Sequence, residues 1–368
     1  MPYRPVRTEA AGGASGFARI LPGRSRTPAL NPIIIAHTQL ATPLHEAKHM
    51  ARSKKVAVYT SDDISHYGFE DHPFSEDRIH AFWDEMHIRQ LTDQVCILPP
   101  TMATEDQLRL FHTPDYVEKV KHHSKIGEGL LDYGDTPAYK GVYEDAVKVV
   151  GSVIDALRKV MNDELRRVFL PIAGLHHSMP NTASGFCVFN DVGVAIKLLQ
   201  RDYSLERIAY VDIDAHHGDG VFYPFENDPT VIFADIHEDG RYNFPQTGFS
   251  YEVGKGPAKG RKLNIPLLPL SADDDFLMMW DKTEAFLRRW EPQLVFMNCG
   301  ADGLGGDPLA HLHYTARAHG RAARGLCEIA EDYAEGRIIA VGGGGYDLRN
   351  IANAWTAVID AFLEVPMR

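Results

Sequence analysis

The 368-residue chain has no apolar run long enough to span a membrane. The nearest, "PIIIA" at 32–36, falls far short of the roughly 18–20 residues required, so no membrane partner is expected. The four cysteines, Cys96, Cys187, Cys299 and Cys327, show no CxxC spacing. That excludes a zinc knuckle, argues against a disulfide framework, and fits a reducing, cytoplasmic compartment. No GK[ST] follows the glycine run at 342–345, which disfavours a phosphate-binding P-loop. Positive charge is short too: 38 Lys and Arg against 50 Asp and Glu leave the chain at −12. An acidic body disfavours nucleic acid as a partner and mildly favours cationic substrates.

What basic charge there is collects at the start. Residues 1–55 hold nine Lys and Arg against Glu9 and Glu46, leaving the remainder at −19. "AAGGASG" and "LPGRSRTPALNP" carry neither helical nor strand period, and the segment lacks the apolar core of a secretory signal. The expected organisation is a flexible basic extension over residues 1–54, without a catalytic role, followed by one domain over 55–368.

The composition of the chain as a whole is that of a globular protein, 44% apolar and 24% charged. Short β-rich runs occur at 55–60, 167–174, 207–213, 230–236, 293–300 and 337–343. Between them lie helical patterns. Over 142–160, Val142, Ala146, Val149, Val150, Val153, Ile154 and Leu157 recur at spacings of three and four. Helices are also expected over 273–290, where three aspartates suit an N-terminus, and over 348–363. Almost wholly apolar strands alternating with helices indicate an α/β fold with a parallel sheet covered on both faces.

Four of these strands run directly into polar or glycine clusters. "VFLPIAGL" leads to His176-His177, "IAYVDI" to Asp214, His216 and His217, "LVFMNCG" to Asp302, and "IIAV" to four glycines and Tyr346. Ligands of open α/β sheets bind outside the carboxyl ends of strands, so these clusters are expected to converge into one site. Asp214 and His216, two residues apart, project to the same side of an extended segment. With a further acid such as Asp302 they supply three protein ligands and leave a position open, as catalytic zinc sites do. A lone Asp-x-His would more simply cap the next turn; the density of ionisable groups in "VDIDAHHGDG" argues against that. His176 and His177 are candidates for acid–base work, Asp212 and Asp219 for orienting imidazoles, and Tyr346 for donating to a developing oxyanion. His217 has no assigned role beyond packing.

The assembled residues resemble the histone deacetylase superfamily, which includes bacterial acetoin-utilization (AcuC-type) proteins and acetylpolyamine amidohydrolases. The matching stretches are "HPFSEDR" 72–78, "GLHHSMPNTASGFCVFND" 174–191, "VDIDAHHGDG" 211–220, "HEDGRYNFPQTG" 237–248, "CGADGLGGDPLAHL" 299–312 and "GGGGYD" 342–347. The resemblance covers roughly residues 55–365 and implies an arginase-like α/β/α sandwich around a mostly parallel sheet of about eight strands. It further implies Zn2+ on Asp214, His216 and Asp302, with Fe2+ compatible with the same ligands. Metal-activated water would attack an N-acyl amide, His176 and His177 would share the base and acid roles, backed by Asp212 and Asp219, and Tyr346 would stabilise the oxyanion.

By the same resemblance Phe186 and Phe244 flank a tunnel for a linear acylated side chain, Asp135 lies on its rim, and Arg78 lies near an internal acetate channel. A K+ site is implied at Asp212, Asp214, His216 and Asp235, where Asp235 stands in place of a serine. The expected substrate is an acetylated amine, acetyl-lysine in proteins or an acetylpolyamine; a homo-oligomer is compatible with this reading. Arginase-like chemistry on two manganese ions would want a DxDxxDP motif, which "GADGLGGDP" does not supply. A non-enzymatic acetyl-lysine-binding scaffold would be favoured by loss of a ligand or of Tyr346, and none is lost.

Overall fold

The computed structural model describes residues 55–60, 67–69 and 73–368. The expected extension at 1–54 lies outside the described residues.

Eight strands form one sheet of purely parallel pairs. They are β1 (Val56–Tyr59), β2 (Cys96–Leu98), β3 (Arg167–Leu170), β4 (Ile208–Asp212), β5 (Val231–Glu238), β6 (Lys262–Leu267), β7 (Leu294–Asn298) and β8 (Ile338–Val341). Nine α-helices are described: α1 (Asp77–Ile88), α2 (Glu105–Leu108), α3 (Pro114–Ile126), α4 (Val142–Met161), α5 (Asp191–Leu198), α6 (Asp219–Phe222), α7 (Asp273–Trp290), α8 (Ala316–Tyr333) and α9 (Leu348–Glu364). α9 packs on both α1 and α8, and α8 on α7, while α4 packs on α3 and α5. These groups cover the sheet and give a three-layer α/β/α architecture.

Every residue of β1, β3, β4, β5, β7 and β8 is buried, which is why these strands read as largely apolar runs. The two strands without a clear sequence signal, β2 and β6, form the sheet edges. β2 is only three residues long, and β6 carries Asn264 and Pro266; proline is tolerated on an edge because one side of the ladder is free. Pro171 follows β3 at once, so the run expected to 174 stops at Leu170 and its remainder turns toward the strand ends.

Strand order is β2-β1-β3-β8-β7-β4-β5-β6. The chain places β2 outside β1 and then crosses back to lay β3 inside it, builds outward from β4 through β5 to β6, and returns to fill the gap with β7 and β8. The four strands that end in polar or glycine clusters are therefore neighbours, at the place where the order reverses.

One buried histidine is expected to make this scaffold acid-sensitive. His112 Nε2 accepts the backbone N–H of Asn190 at 2.9 Å. Asn190 in turn caps α5 through Gly193 N–H and donates to the Ser178 and Gly220 carbonyls. Burial pushes the His112 pKa down to about 3. An unfolded histidine titrates near 6.5, so the stability from the neutral ring is complete above about pH 6.5 and is lost as pH falls toward 3, about 2 kcal/mol by pH 5. His112→Gln keeps an acceptor that does not titrate. Its melting temperature is expected to fall less steeply than the wild type's between pH 7 and 5; parallel slopes would refute the assignment.

Candidate active site

The β4–α6 turn supplies Asp214 and His216, and the turn after β7 supplies Asp302. One ligand atom from each lies within 4.8 Å of the others, and all three residues are buried. His216 Nδ1 is 3.2 Å from Asp214 Oδ1 and 3.0 Å from Asp302 Oδ2. Backbone donors fix the carboxylates from behind: Gly344 N–H binds Asp214 Oδ2 at 2.7 Å, His216 N–H binds Asp214 Oδ1 at 2.9 Å, and Ala215 N–H binds Asp302 Oδ1 at 2.8 Å. Two carboxylates packed this closely away from water repel each other. Burial and the charge of Asp214 push Asp302 up to about 7. Burial would lower His216, but hydrogen bonds and charge from both carboxylates override it and raise its pKa. Such a set favours a bound cation, and two oxygens plus one imidazole nitrogen fit a divalent metal with an open position.

Gly344 shows why the loop after β8 carries no side chains. A Cβ there would lie 2.3 Å from Asp302 Oδ2, and its backbone N–H must reach Asp214. Gly343 combines φ of +70° with a hypothetical Cβ 2.3 Å from Asn298 Oδ1.

Two imidazole–carboxylate pairs stand beside the triad. His176 Nδ1 lies 2.8 Å from Asp212 Oδ2, and His177 Nδ1 lies 2.7 Å from Asp219 Oδ1. The ring centroids are 4.0 Å apart. Asp212 also accepts from Tyr210 Oη at 2.5 Å, from Asp214 N–H at 3.0 Å and from Asn298 Nδ2 at 3.2 Å. The surroundings separate the two histidines. Burial opposes charge on His176, but Asp212 and Asp214 raise its pKa to about 10. Burial and the neighbouring His176 and His216 drive His177 well down. Adjacent residues in sequence are thus tuned apart by their surroundings.

Tyr346 closes the site. Asp307 Oδ2 accepts its N–H at 2.8 Å, and Asp347 caps α9 by accepting from Arg349 and Asn350 N–H. The start of a rigid helix therefore fixes the tyrosine in place. His176, His177, Asp214, His216 and Tyr346 line one small cavity, together with Phe74 and Cys187.

With this geometry in place, comparison with known proteins is decisive. The model of the histone deacetylase domain family matches residues 72–362. The chain belongs to the histone deacetylase family. It is 36% identical over 329 residues to the acetoin utilization protein AcuC of Bacillus subtilis (strain 168), covering 84% of each chain. The AcuC of Staphylococcus aureus (strain MSSA476) is 32% identical over 327 residues, covering 86% of this chain and 84% of that one. Among solved structures, the HDA15 HD domain superposes with a TM-score of 0.76 at 25% identity, covering 86% of this chain and 90% of that one. The chain is a deacetylase-family hydrolase similar to AcuC.

The remaining residues singled out in the sequence fall as follows within this deacetylase framework. Phe186 stands edge-on to Tyr346 with centroids 6.1 Å apart, and Phe244 edge-on to His177 at 4.9 Å, so each aromatic lies against one part of the site. Asp135 is exposed beside Thr136, whose hydroxyl accepts the Phe186 N–H at 3.2 Å. Partial burial and Asp132 raise Asp135 to about 6. Arg78 is buried and donates to the Gly345 and Gly343 carbonyls at 2.7 and 2.6 Å, bracing the glycine loop. Asp235 Oδ2 accepts from Gly218 N–H at 2.9 Å, and its Oδ1 faces His237 Nδ1 at 2.7 Å. It therefore sits beside Asp212 as a carboxylate already hydrogen-bonded on both oxygens. His217 acquires a role: its Nδ1 meets Thr247 Oγ1 at 2.8 Å, tying the β4 turn to the loop that carries Phe244.

Several supporting residues carry no recognisable sequence signal. Asp191 is buried and accepts the Gly174 and Leu175 N–H groups, which shapes the turn presenting His176. Tyr210 and Asn298 look like ordinary strand residues until β4 and β7 pair and bring both onto Asp212. Asp307 could have been suspected only as an acid close to Asp302.

Proposed function

We propose that the chain is a zinc-dependent deacetylase of acetyl-lysine-type substrates. The observation that carries this reading is one cavity lined by Asp214, His216, Tyr346 and two carboxylate-backed imidazoles, with Asp302 completing the ligand triad beside it. A metal ion on the triad supplies a Lewis acid and lowers the pKa of bound water. The chain's own groups do the rest. As water oxygen bonds to the carbonyl carbon, its proton passes to one imidazole of the His176/His177 pair. The other delivers a proton to the departing amine nitrogen as the C–N bond breaks. Asp212 and Asp219 hold the Nδ1 side of each ring, leaving Nε2 for the reaction. The Tyr346 hydroxyl donates to the carbonyl oxygen as it gains charge. Phe186 and Phe244 exclude water around a linear side chain, and Asp135 on the rim accepts from a donor on the substrate.

The four cysteines are free, which supports a cytoplasmic setting, and the acidic body supports a substrate other than nucleic acid. The test is a panel of acylated amines with zinc-loaded and iron-loaded protein. Turnover of an acetyl-lysine peptide should exceed that of acetylputrescine by about tenfold or more in kcat/KM. Equal or reversed preference would reassign the substrate to a small amine, and absence of amide cleavage with either metal would sink the enzymatic reading.

A further inference from the structure

Glu238 ends β5 and its side chain is wholly buried, yet it takes no part in the site described above. Three donors converge on its carboxylate. Asn243 Nδ2 donates to Oε2 at 2.9 Å, His311 N–H donates to the same oxygen at 2.9 Å, and His311 Nδ1 lies 2.9 Å from Oε1. The donors come from two different loops. Asn243 directly precedes Phe244, and its Oδ1 accepts the Phe244 N–H at 2.8 Å. His311 lies four residues beyond Asp307, the acid that holds Tyr346.

We infer that Glu238 is a positioning residue that clamps the Phe244 loop to the Asp307–His311 loop and thereby sets the substrate entrance. A buried carboxylate is tolerable only when its lone pairs are met, and here that condition holds only with both loops docked. Each loop's position therefore depends on the other through one side chain. His217 with Thr247, and His237 Nε2 with the Gly248 carbonyl at 2.8 Å, already anchor the far end of the Phe244 loop. Glu238 controls the near end, next to the ring that lies against His177. The inference rests on the deacetylase reading of that ring as a wall of the substrate tunnel.

Glu238→Gln keeps the shape but turns an NH2 group toward donors. It is expected to raise KM for an acetyl-lysine peptide about tenfold while kcat stays within about threefold and metal content is unchanged. Asn243→Ala, which leaves the carboxylate in place, should raise KM less, and the double variant should be no worse than Glu238→Gln alone. Should Glu238→Gln not fold, Asn243→Ala and His311→Ala carry the test, each raising KM with kcat retained. Hydrogen exchange on the same proteins needs no turnover: Glu238→Gln should speed exchange in both 239–248 and 307–313. Additive effects in the cycle, a fall in kcat at constant KM, or faster exchange with unchanged KM would overturn the inference. A wild type inactive on every acyl amine, with the two loops still coupled in exchange, would instead count against the deacetylase reading.

Discussion

Asp214→Ala protein is expected to purify with about a tenth or less of the wild type's bound metal and to lose acyl-amide hydrolysis by roughly four orders of magnitude. The substitution removes one of three converging ligands and leaves only His216 and Asp302. It also deprives the Gly344 and His216 N–H groups of their acceptor, so the glycine loop loses its tie to the triad. The fold should survive, because the same change removes the like charge that, with burial, raises Asp302. Metal-free wild type and metal-free variant should therefore melt within a few degrees of each other. Metal analysis of the two proteins purified in parallel is the check. Full metal occupancy in the variant would contradict the ligand assignment whatever the activity.

Tyr346→Phe should behave differently, lowering kcat about 10²–10³-fold with metal content unchanged and KM within a factor of about three. The reason lies in how the ring is held. Asp307 binds the backbone N–H, Asp347 starts α9, Arg78 grips the carbonyls of Gly343 and Gly345, and Phe186 packs against the ring face. None of these contacts uses the phenol oxygen. Removing it leaves geometry intact and deletes only a donor to the developing oxyanion, so the loss belongs in the transition state and not in binding. A KM increase equal to the loss in kcat/KM would assign the hydroxyl to substrate binding.

Much of the scaffold was legible because its signals are local. The 142–160 and 273–290 helices emerge at 142–161 and 273–290, and the last helix extends one residue past 363, to Glu364. A long apolar stripe at helical spacing leaves little ambiguity. Six fully buried strands announced themselves by composition. The edge strands β2 and β6 did not: three residues are too few to show a period, and lysine, asparagine and proline make β6 resemble a loop. α8 escaped for a related reason: beside Leu326 and Ile329, its buried face is built largely from small residues, Ala318, Gly320, Ala322, Ala323 and Gly325, which carry little apolar signal in sequence.

The site divides along the same line. The residue types in "GLHHS", "VDIDAHHGDG", "CGAD" and "GGGGY", and the ends of the strands that carry them, determined by sequence alone that ionisable groups suited to metal binding and acid–base chemistry would be gathered at one place. Only the tertiary structure decided that β3, β8, β7 and β4 are neighbours, that Asn298 and Tyr210 meet on Asp212, that His217 holds the Phe244 loop, and that Glu238 joins two loops more than sixty residues apart. Residue type and period are properties of a short window. Strand order and the partner of a buried carboxylate are settled by how crossovers pack over the whole chain, where each polar group must find its donor or acceptor at once.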